Sequence, residues 1–355
     1  MVLDAYVASA WKLVRVCPFG CVLKADADPR FEESVIHDLS FPRGASVNDA
    51  SDAADLPPLS HEHVDATARR IEWIKSRNPC AAVRAEHGDV KSAFWNVFGH
   101  SSVCSMFSGM LSRHGALEMD LVLPFEWTGP LGHYGMFGCA TTFLARRKRP
   151  SNLAPDDPDT EPLYCYTWVD NHVPIEEDRD ERLVLCEVAL RLAMLAILGP
   201  RSINEKKFTS WSTHARALGL DRDTVNRTVS MWQNKIEKAL TWVRALPLSK
   251  KVSKTSLSQL LGSLRHVCSC VRSARPFFQR LAALQRRSLR WIQLTLSKDA
   301  HLDLLWMSTF SFMADFKVYP FAFSTVSQNQ LCTSTGTSVT RGCAHCTQRN
   351  GSSCG

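Results

Sequence analysis

Two isolated carboxylates, each at the end of a predicted strand, constrain this chain more than any other feature of its sequence. Asp89 follows a short buried-strand signal in Ala85 to Phe98, which reads A-E-H-G-D-V-K-S-A-F-W-N-V-F. Asp170 lies in Tyr164 to Val173, Y-C-Y-T-W-V-D-N-H-V, between two runs rich in aromatic and β-branched residues. Such runs predict a hairpin with Asp170 at its tip. A lone aspartate beside a strand is usually a turn or cap residue, so neither one predicts a function alone.

Two carboxylates at strand ends can converge on a pair of divalent metal ions. Mg²⁺ favours one or two carboxylates combined with substrate phosphates over a complete protein cage. Two such ions activate the attacking oxygen and stabilise the leaving oxygen of an in-line phosphoryl displacement. Asp89 and Asp170 together therefore predict a site for Mg²⁺, or for Mn²⁺ in its place.

At these residues the sequence resembles a reverse transcriptase. D-V-K-S-A-F, from Asp89, is similar to the first palm motif. W-V-D-N-H-V, from Trp168, is similar to the Y-x-D-D hairpin with its second aspartate replaced by Asn171. The wider pattern resembles retrotransposon polymerases of the DIRS type over residues 12–295. It implies an α+β fold of the right-hand polymerase kind, with fingers, a ferredoxin-like antiparallel palm and a helical thumb.

The resemblance implies a template-directed addition of deoxynucleotides to a primer 3′ end, with RNA or DNA as the template. In that reaction Asp89 and Asp170 would hold the metal ions, with Asn171 as an uncharged third ligand. Lys207, in I-N-E-K-K-F-T-S-W, would protonate the departing pyrophosphate as a general acid. By residue type alone, a surface lysine is an equally good interpretation of Lys207.

Substrate contacts are also implied by the resemblance. Phe94 would lie against the sugar of the incoming nucleotide and favour deoxyribonucleotides, although by residue type alone it is a core aromatic. Gly129 and Gly132, in the Leu121 to Gly138 segment, would let backbone approach the substrate closely. A Pro- and Gly-rich loop without such a role is the alternative.

Charge is distributed unevenly along the chain. Residues 1–200 hold 19 Lys and Arg against 28 Asp and Glu, whereas residues 201–300 hold 20 against 5. This distribution suits a protein that binds nucleic acid with its basic region and metal with its acidic region. Contacts of the basic region with a duplex backbone would be independent of sequence and sensitive to salt. The candidate residues for these contacts are Arg265, Arg272, Arg275 and Arg280.

Three departures from the family pattern favour a second interpretation, a degraded retroelement copy that binds nucleic acid without polymerising. Ser34 stands where the family has a triphosphate-binding arginine, and Glu126 stands where it has a glycine. Asn171 retains an oxygen ligand but lacks the charge of the second aspartate. Losing a charged hydrogen-bond partner costs on the order of 1.5–3 kcal/mol per bond.

The domain organisation follows from the same patterns. We expect fingers and palm in residues 1–230, a helical thumb in 231–296, a connection in 297–316 and a disordered tail in 317–355. Helical periodicity is predicted in His61–Arg77 and Leu183–Leu198, and a helix is also expected in Ser101–His114. In the expected thumb, an apolar stripe at helical spacing predicts core residues, namely Leu257, Leu260, Leu261, Leu264 and Val267. The tail can be back-translated in a shifted frame into a segment resembling the start of a ribonuclease H domain, so we expect a frameshift and a missing ribonuclease H domain.

No run of 18 uncharged apolar residues and no secretion signal occur in the sequence. The 13 cysteines are therefore expected to be reduced thiols in an intracellular protein, in the cytoplasm or the nucleus. The expected partners are a primed RNA or DNA template and deoxynucleoside triphosphates, with no membrane.

Overall fold

The computed structural model describes residues 1–23, 28, 33–246, 251–270, 275–287, 289, 293–313 and 319–320. In the first part of the chain, short strands alternate with short helices. The elements are β1 (Val2–Asp4), α1 (Val7–Ala10), β2 (Val16–Cys17), β3 (Phe19–Leu23), β4 (Glu33–His37), α2 (Asp65–Arg77), β5 (Val83–Ala85), β6 (Gly88–Asp89), α3 (Ser101–Cys104), β7 (Ser108–Leu111) and β8 (Ala116–Met119).

Longer helices dominate the second part. The elements are α4 (Pro130–Arg146), α5 (Pro150–Leu153), β9 (Cys165–Trp168), β10 (Asn171–Glu177), α6 (Arg182–Leu198), β11 (His214–Ala217), β12 (Leu220–Asp223), β13 (Thr228–Met231), α7 (Gln233–Ala245), α8 (Lys254–Cys270), α9 (Arg275–Arg287), α10 (Lys298–Met313) and β14 (Tyr319–Pro320). The mixture of helices and mainly antiparallel strands confirms the α+β class expected from the sequence.

A four-stranded antiparallel sheet carries both predicted site segments. β10 lies at its centre and pairs with β5, β6 and β9. β5 and β6 pair with β10 in the same continuous register. Pro174, which has no N–H to donate, lies on β10 opposite the gap between β5 and β6. The two-residue turn Val169-Asp170 joins β9 to β10, as the hairpin signal predicts.

Two helices, α4 and α6, cover one face of this sheet and form a core with it. Tyr134, Leu190 and Met194 are fully buried there. Gly88 is needed for this packing, because a Cβ atom at that position would lie 2.8 Å from the ring of Phe208. α6 ends at Gly199, whose φ of +86° suits a glycine and few other residues.

The basic C-terminal half contains a group of helices formed by α7, α8, α9 and α10. The apolar stripe predicted on α8 is buried, including Leu257, Leu260 and Leu264. The segment expected to be a connection, 297–316, contributes α10, whose buried Leu304 belongs to the same core.

The expected helix over Ser101–His114 is wrong beyond its first turn. α3 ends at Cys104, and β7 then pairs with β8 and, in parallel, with β2. At Gly109 an added Cβ would overlap the ring of Phe19, so the strand passes directly against that side chain. Pairing with strands that are distant in the sequence therefore determines the structure of this segment, although its own residues favour a helix.

Two other expectations from the sequence concern residues that lie mostly outside the described part of the chain. The expected disordered tail contributes only Tyr319–Pro320, which pairs with β13, and the rest of 317–355 lies outside the described part. Arg272 also lies outside it. Within the described residues, no helix combines the length and apolarity that crossing a bilayer requires.

A buried ion-pair cluster joins α6 to the central strand. Arg182 donates to Glu176 Oε2 at 2.9 Å and to Asp159 Oδ2 at 2.8 Å, and Arg70 donates to the same Glu176 oxygen at 2.7 Å. Glu176 is fully buried. Removing one partner of a buried pair leaves the other charge poorly compensated.

We expect Arg182→Ala to lower the free energy of unfolding by about 2–3 kcal/mol, because Arg70 still pairs with Glu176. Chemical denaturation monitored by circular dichroism measures this value. Arg179→Ala, which removes a partly exposed member of the same cluster, is expected to cost less than about 1 kcal/mol. Equal losses of unfolding free energy in the two variants would contradict the expectation that the buried Arg182–Glu176 pair contributes more to stability than the partly exposed Arg179.

Candidate active site

The two predicted site segments are neighbouring strands, and their tips lie side by side. Asp89 is the direct cross-strand partner of Asn171, and the N–H of Val90 donates to the carbonyl of Asp170 at 3.0 Å. Asp89 is buried, with 2% of its surface exposed. Val169, in the hairpin turn, has a φ of +54°, which a β-branched residue rarely adopts. The register therefore brings Asp89, Asp170 and Asn171 to one edge of the sheet.

Both oxygens of the Asp89 carboxylate have donors from one downstream segment. Asn204 Nδ2 donates to Oδ1 at 2.6 Å, and Lys207 Nζ donates to Oδ2 at 3.2 Å. The Lys207 side chain is 61% exposed, so its ammonium group can leave Asp89 at little cost. The sequence placed Lys207 in the site but did not single out Asn204, which lies three residues earlier in the same motif.

Asp170 lies in a low-dielectric environment near a second negative charge. Burial and then the charge of Asp89 raise its pKa, while Lys207 and His87 lower it. Burial, with smaller contributions from Asp170 and Asp89, also raises the pKa of the Tyr134 hydroxyl. A cation beside the two carboxylates would stabilise the charged form of Asp170.

Asn171 connects Asp170 to a histidine that sequence reasoning missed. Its Nδ2 donates to Asp170 Oδ1 at 2.7 Å, and its Oδ1 lies 2.6 Å from His87 Nε2. The other ring nitrogen of His87 lies 3.3 Å from the Lys207 carbonyl oxygen. His87 precedes Asp89 by two residues, and the period of two in a strand was a signal that the two side chains share a face.

Three predicted substrate residues lie in the packed region beside this edge. The ring of Phe94 contacts Phe125 and Tyr134, each at a centroid distance of 5.6 Å. A Cβ at Gly129 would overlap the Trp127 ring, and one at Gly132 would lie 2.8 Å from the Pro57 carbonyl oxygen. Internal packing therefore accounts for both glycines, and their contact with a substrate stays a prediction.

Comparison with solved structures identifies this architecture. A foamy viral protease–reverse transcriptase bound to double-stranded DNA superposes with a TM-score of 0.53 and 11% identity, covering 88% of this chain and 45% of that one. A second foamy viral protease–reverse transcriptase structure with double-stranded DNA gives a TM-score of 0.50, 11% identity and coverage of 88% and 54%. The fold is that of a reverse transcriptase.

This chain spans about half the length of the reverse transcriptases that it matches. No protein-family model and no curated protein sequence matches it. At 11% identity the similarity rests on the order and packing of the elements rather than on side chains. The α+β right-hand polymerase architecture expected from the sequence is confirmed.

The three departures from the reverse-transcriptase pattern occupy different surroundings. Ser34 lies in β4 opposite Val22. Glu126 is partly exposed, and its carbonyl accepts from Asn48 Nδ2 at 3.0 Å, which ties this loop to the N-terminal part. Asn171 faces Asp89 across the sheet.

Three of the four predicted duplex-binding arginines, Arg265, Arg275 and Arg280, lie on the helices of the C-terminal half. Arg265 is exposed on α8. On α9, Arg275 donates to the Cys268 carbonyl at 3.4 Å, and Arg280 donates to the buried Asp303 at 3.3 Å. Arg280 therefore has a structural role in addition to any contact with a ligand.

The residues at the sheet edge offer oxygen ligands that fit a divalent metal ion. Asp89 and Asp170 supply carboxylate oxygens, and a cation offsets the burial and the repulsion from Asp89 that raise the pKa of Asp170. No group of three or more His, Cys, Asp and Glu in the described residues is arranged as a metal cage. The arrangement suits an ion that takes its remaining ligands from a substrate.

Proposed function

We propose that this protein is an RNA-directed DNA polymerase of retrotransposon origin, of the DIRS type. The observation that supports this most strongly is the register of Asp89 against Asn171, beside Asp170, in a reverse-transcriptase fold. The substrates are deoxynucleoside triphosphates and a primed RNA or DNA template. The reaction is transfer of a nucleotidyl group to the primer 3′ end.

Each site residue has a role in this proposal. Asp89 and Asp170, with Asn171, hold Mg²⁺ or Mn²⁺, which activates the primer oxygen and stabilises the pyrophosphate when bound. Lys207 lies 3.2 Å from Asp89 and leaves it to protonate the departing pyrophosphate. Asn204 keeps the Asp89 carboxylate in place through its 2.6 Å hydrogen bond. Phe94 excludes a 2′-hydroxyl.

A second candidate, nucleic-acid binding without polymerisation, is favoured by the bonds of Asn171. Its amide donates to Asp170 Oδ1, so this amide uses an oxygen lone pair that a metal ion needs. The absence of the second carboxylate charge weakens cation binding in the same place.

Primer extension discriminates between the two candidates. The full chain is incubated with a primed homopolymer RNA template, the complementary deoxynucleotide and Mg²⁺ or Mn²⁺. Extension that requires the added metal supports the polymerase. Salt-sensitive binding of the same primed template, without extension by either metal, supports the second candidate.

Binding of the basic helices to a nucleic-acid backbone is tested by its salt dependence. We expect Arg265→Ala to weaken binding of a primed template. It should also reduce the magnitude of the slope of log K against log salt by about 0.9, the value for the loss of one phosphate contact. Filter binding or fluorescence anisotropy across a salt series measures both quantities. The control is Arg113→Ala, an exposed arginine in the N-terminal part, for which the slope should not change. An unchanged slope for Arg265→Ala would remove this residue from the interface.

A further inference from the structure

Helix α6 has an apolar side that is exposed to solvent. Its buried residues pack against the sheet and against α4. On the other side, four large apolar side chains are between 38% and 55% exposed, namely Val184, Val188, Leu192 and Leu195. A helix that is apolar all round is usually buried all round. The exposed side of α6 therefore has the composition of a surface that another helix covers.

Three of these side chains, together with the half-buried Leu185, have the spacing of a coiled-coil seam. Leu185, Val188, Leu192 and Leu195 follow one another at intervals of three, four and three residues. This alternation is the one by which two helices pack along their length. We call these four residues the α6 seam. Because the seam has the same spacing when read in either direction, the same surface on a second copy is complementary to it.

Helix α4, which packs against α6, also exposes apolar side chains. Met136 and Phe143 are 61% and 56% exposed, and they lie two helical turns apart on the side opposite to the buried Tyr134 and Thr141. The outer surface of this helical layer thus offers more apolar area than the α6 seam alone. That area matters because stable interfaces bury about 800 Å² on each partner.

The two ends of α6 carry opposite charges. Asp180 and Glu181 are exposed just before its first turn, and Arg201 is exposed just after its end. Arg179, next to the acidic pair, is engaged in the ion-pair cluster described above. Two antiparallel α6 helices would place each acidic end beside the basic end of the other copy, and their helix dipoles would be antiparallel as well. Parallel helices would place like charges together, so charge favours the antiparallel arrangement.

We propose that the α6 seam is a dimerisation surface, and that its partner is the α6 seam of a second copy of this chain, packed antiparallel about a two-fold axis. In one register every seam residue has an apolar partner. Leu185 then lies opposite the partner's Leu195, and Val188 lies opposite the partner's Leu192. A shift by one heptad leaves half of each seam uncovered, so burial of apolar surface selects this register.

The same register brings the charged ends of the two helices together. Glu181, four residues before the start of the seam, lies opposite the partner's Gly199, two positions from the partner's Arg201. The two-fold axis repeats this contact at the other end of the helix pair. The dimer therefore combines a central apolar contact with two attractive charge contacts at its rim.

Sedimentation velocity of the full chain, without nucleic acid, tests this proposal over a concentration series from about 1 μM to about 200 μM. We expect the wild-type protein to show a dimer whose fraction rises with concentration. Leu192→Glu should weaken dimerisation at least about a hundredfold, because each dimer then holds two carboxylates within its apolar contact. The matched control is Val225→Glu, which changes an exposed apolar residue in the turn between β12 and β13 and should retain wild-type dimerisation.

Charge reversal tests the orientation of the two helices without changing the seam. Glu181→Arg and Arg201→Glu should each weaken dimerisation several-fold at low salt, because each places like charges near one another at both ends of the helix pair. The variant that combines both changes should recover most of the wild-type dimerisation, because opposite charges meet again. Both residues are exposed, so these variants test the proposal even if Leu192→Glu does not fold.

A wild-type chain that stays monomeric throughout the series would overturn the proposal, since another protein or another segment of this chain would then have to cover the seam. Wild-type dimerisation in a folded Leu192→Glu variant, checked by circular dichroism, would do the same. Failure of the combined charge reversal to recover the dimer would contradict the antiparallel arrangement. These results are independent of polymerisation: a monomer that extends primers contradicts only the dimer, whereas a dimer that extends no primer contradicts only the polymerase.

Discussion

Asp89→Asn is expected to abolish metal-dependent primer extension, with a loss of at least about a thousandfold in rate. Asparagine has the shape of aspartate but lacks the charge that a divalent metal ion needs. The metal supplies several kcal/mol of transition-state stabilisation, and each 1.36 kcal/mol corresponds to about tenfold in rate. Single-nucleotide extension at saturating deoxynucleotide measures the effect.

A matched control for this variant lies at the other end of the same sheet. Asp178 pairs with Arg84 at the surface, and Asp178→Asn should leave the extension rate unchanged. Circular dichroism and thermal unfolding check that both variants fold. Asp89→Asn keeps an oxygen that accepts from Asn204, and the mostly exposed Lys207 can turn to solvent, so this variant is expected to fold. A folded Asp89→Asn variant with wild-type extension would exclude Asp89 from catalysis.

Restoring the family pattern at three positions is expected to increase Mg²⁺-dependent extension by at least about a hundredfold. The triple variant combines Ser34→Arg, Glu126→Gly and Asn171→Asp. Arginine offers the triphosphate charged hydrogen bonds of about 1.5–3 kcal/mol each. Aspartate at 171 adds a ligand charge next to Asp170, and glycine at 126 removes a carboxylate from the loop beside the expected substrate.

The restored protein needs its own negative control. The same three changes combined with Asp89→Asn should show no extension, which excludes a contaminating polymerase. If the restored protein folds and binds a primed template but does not extend the primer, the assignment of the site is wrong. Activity in the restored protein alone would indicate that the natural chain is a degraded polymerase.

Local signals in the sequence were sufficient for the elements nearest the site. The Asp170 hairpin was predicted because aromatic and β-branched runs flank a short turn. The helix α6 was predicted because its apolar residues continue to Gly199-Pro200, which stops a helix. The buried stripe of α8 was predicted from its helical spacing. In these segments local preference and tertiary packing agree.

Segments whose structure depends on distant partners were not predictable in the same way. Ser108–Leu111 forms a strand because β2 and β8 pair with it, although its own residues favoured a continuing helix. Gly129 and Gly132 fit a substrate-facing loop in the sequence, and only the positions of Trp127 and Pro57 supply a packing reason for them.

Residue type and spacing in the sequence predicted the hairpin that carries Asp170 and the choice of Asp89 and Asp170 as candidates. The α+β class and the choice of Lys207 were implied by the resemblance of the sequence motifs to those of reverse transcriptases. Only the tertiary structure decided that Asp89 lies opposite Asn171, that Asn204 holds its carboxylate and that His87 faces the Asn171 oxygen. These contacts join residues about 80 to 115 positions apart, and strand register, which spacing along the chain does not specify, sets which atoms meet.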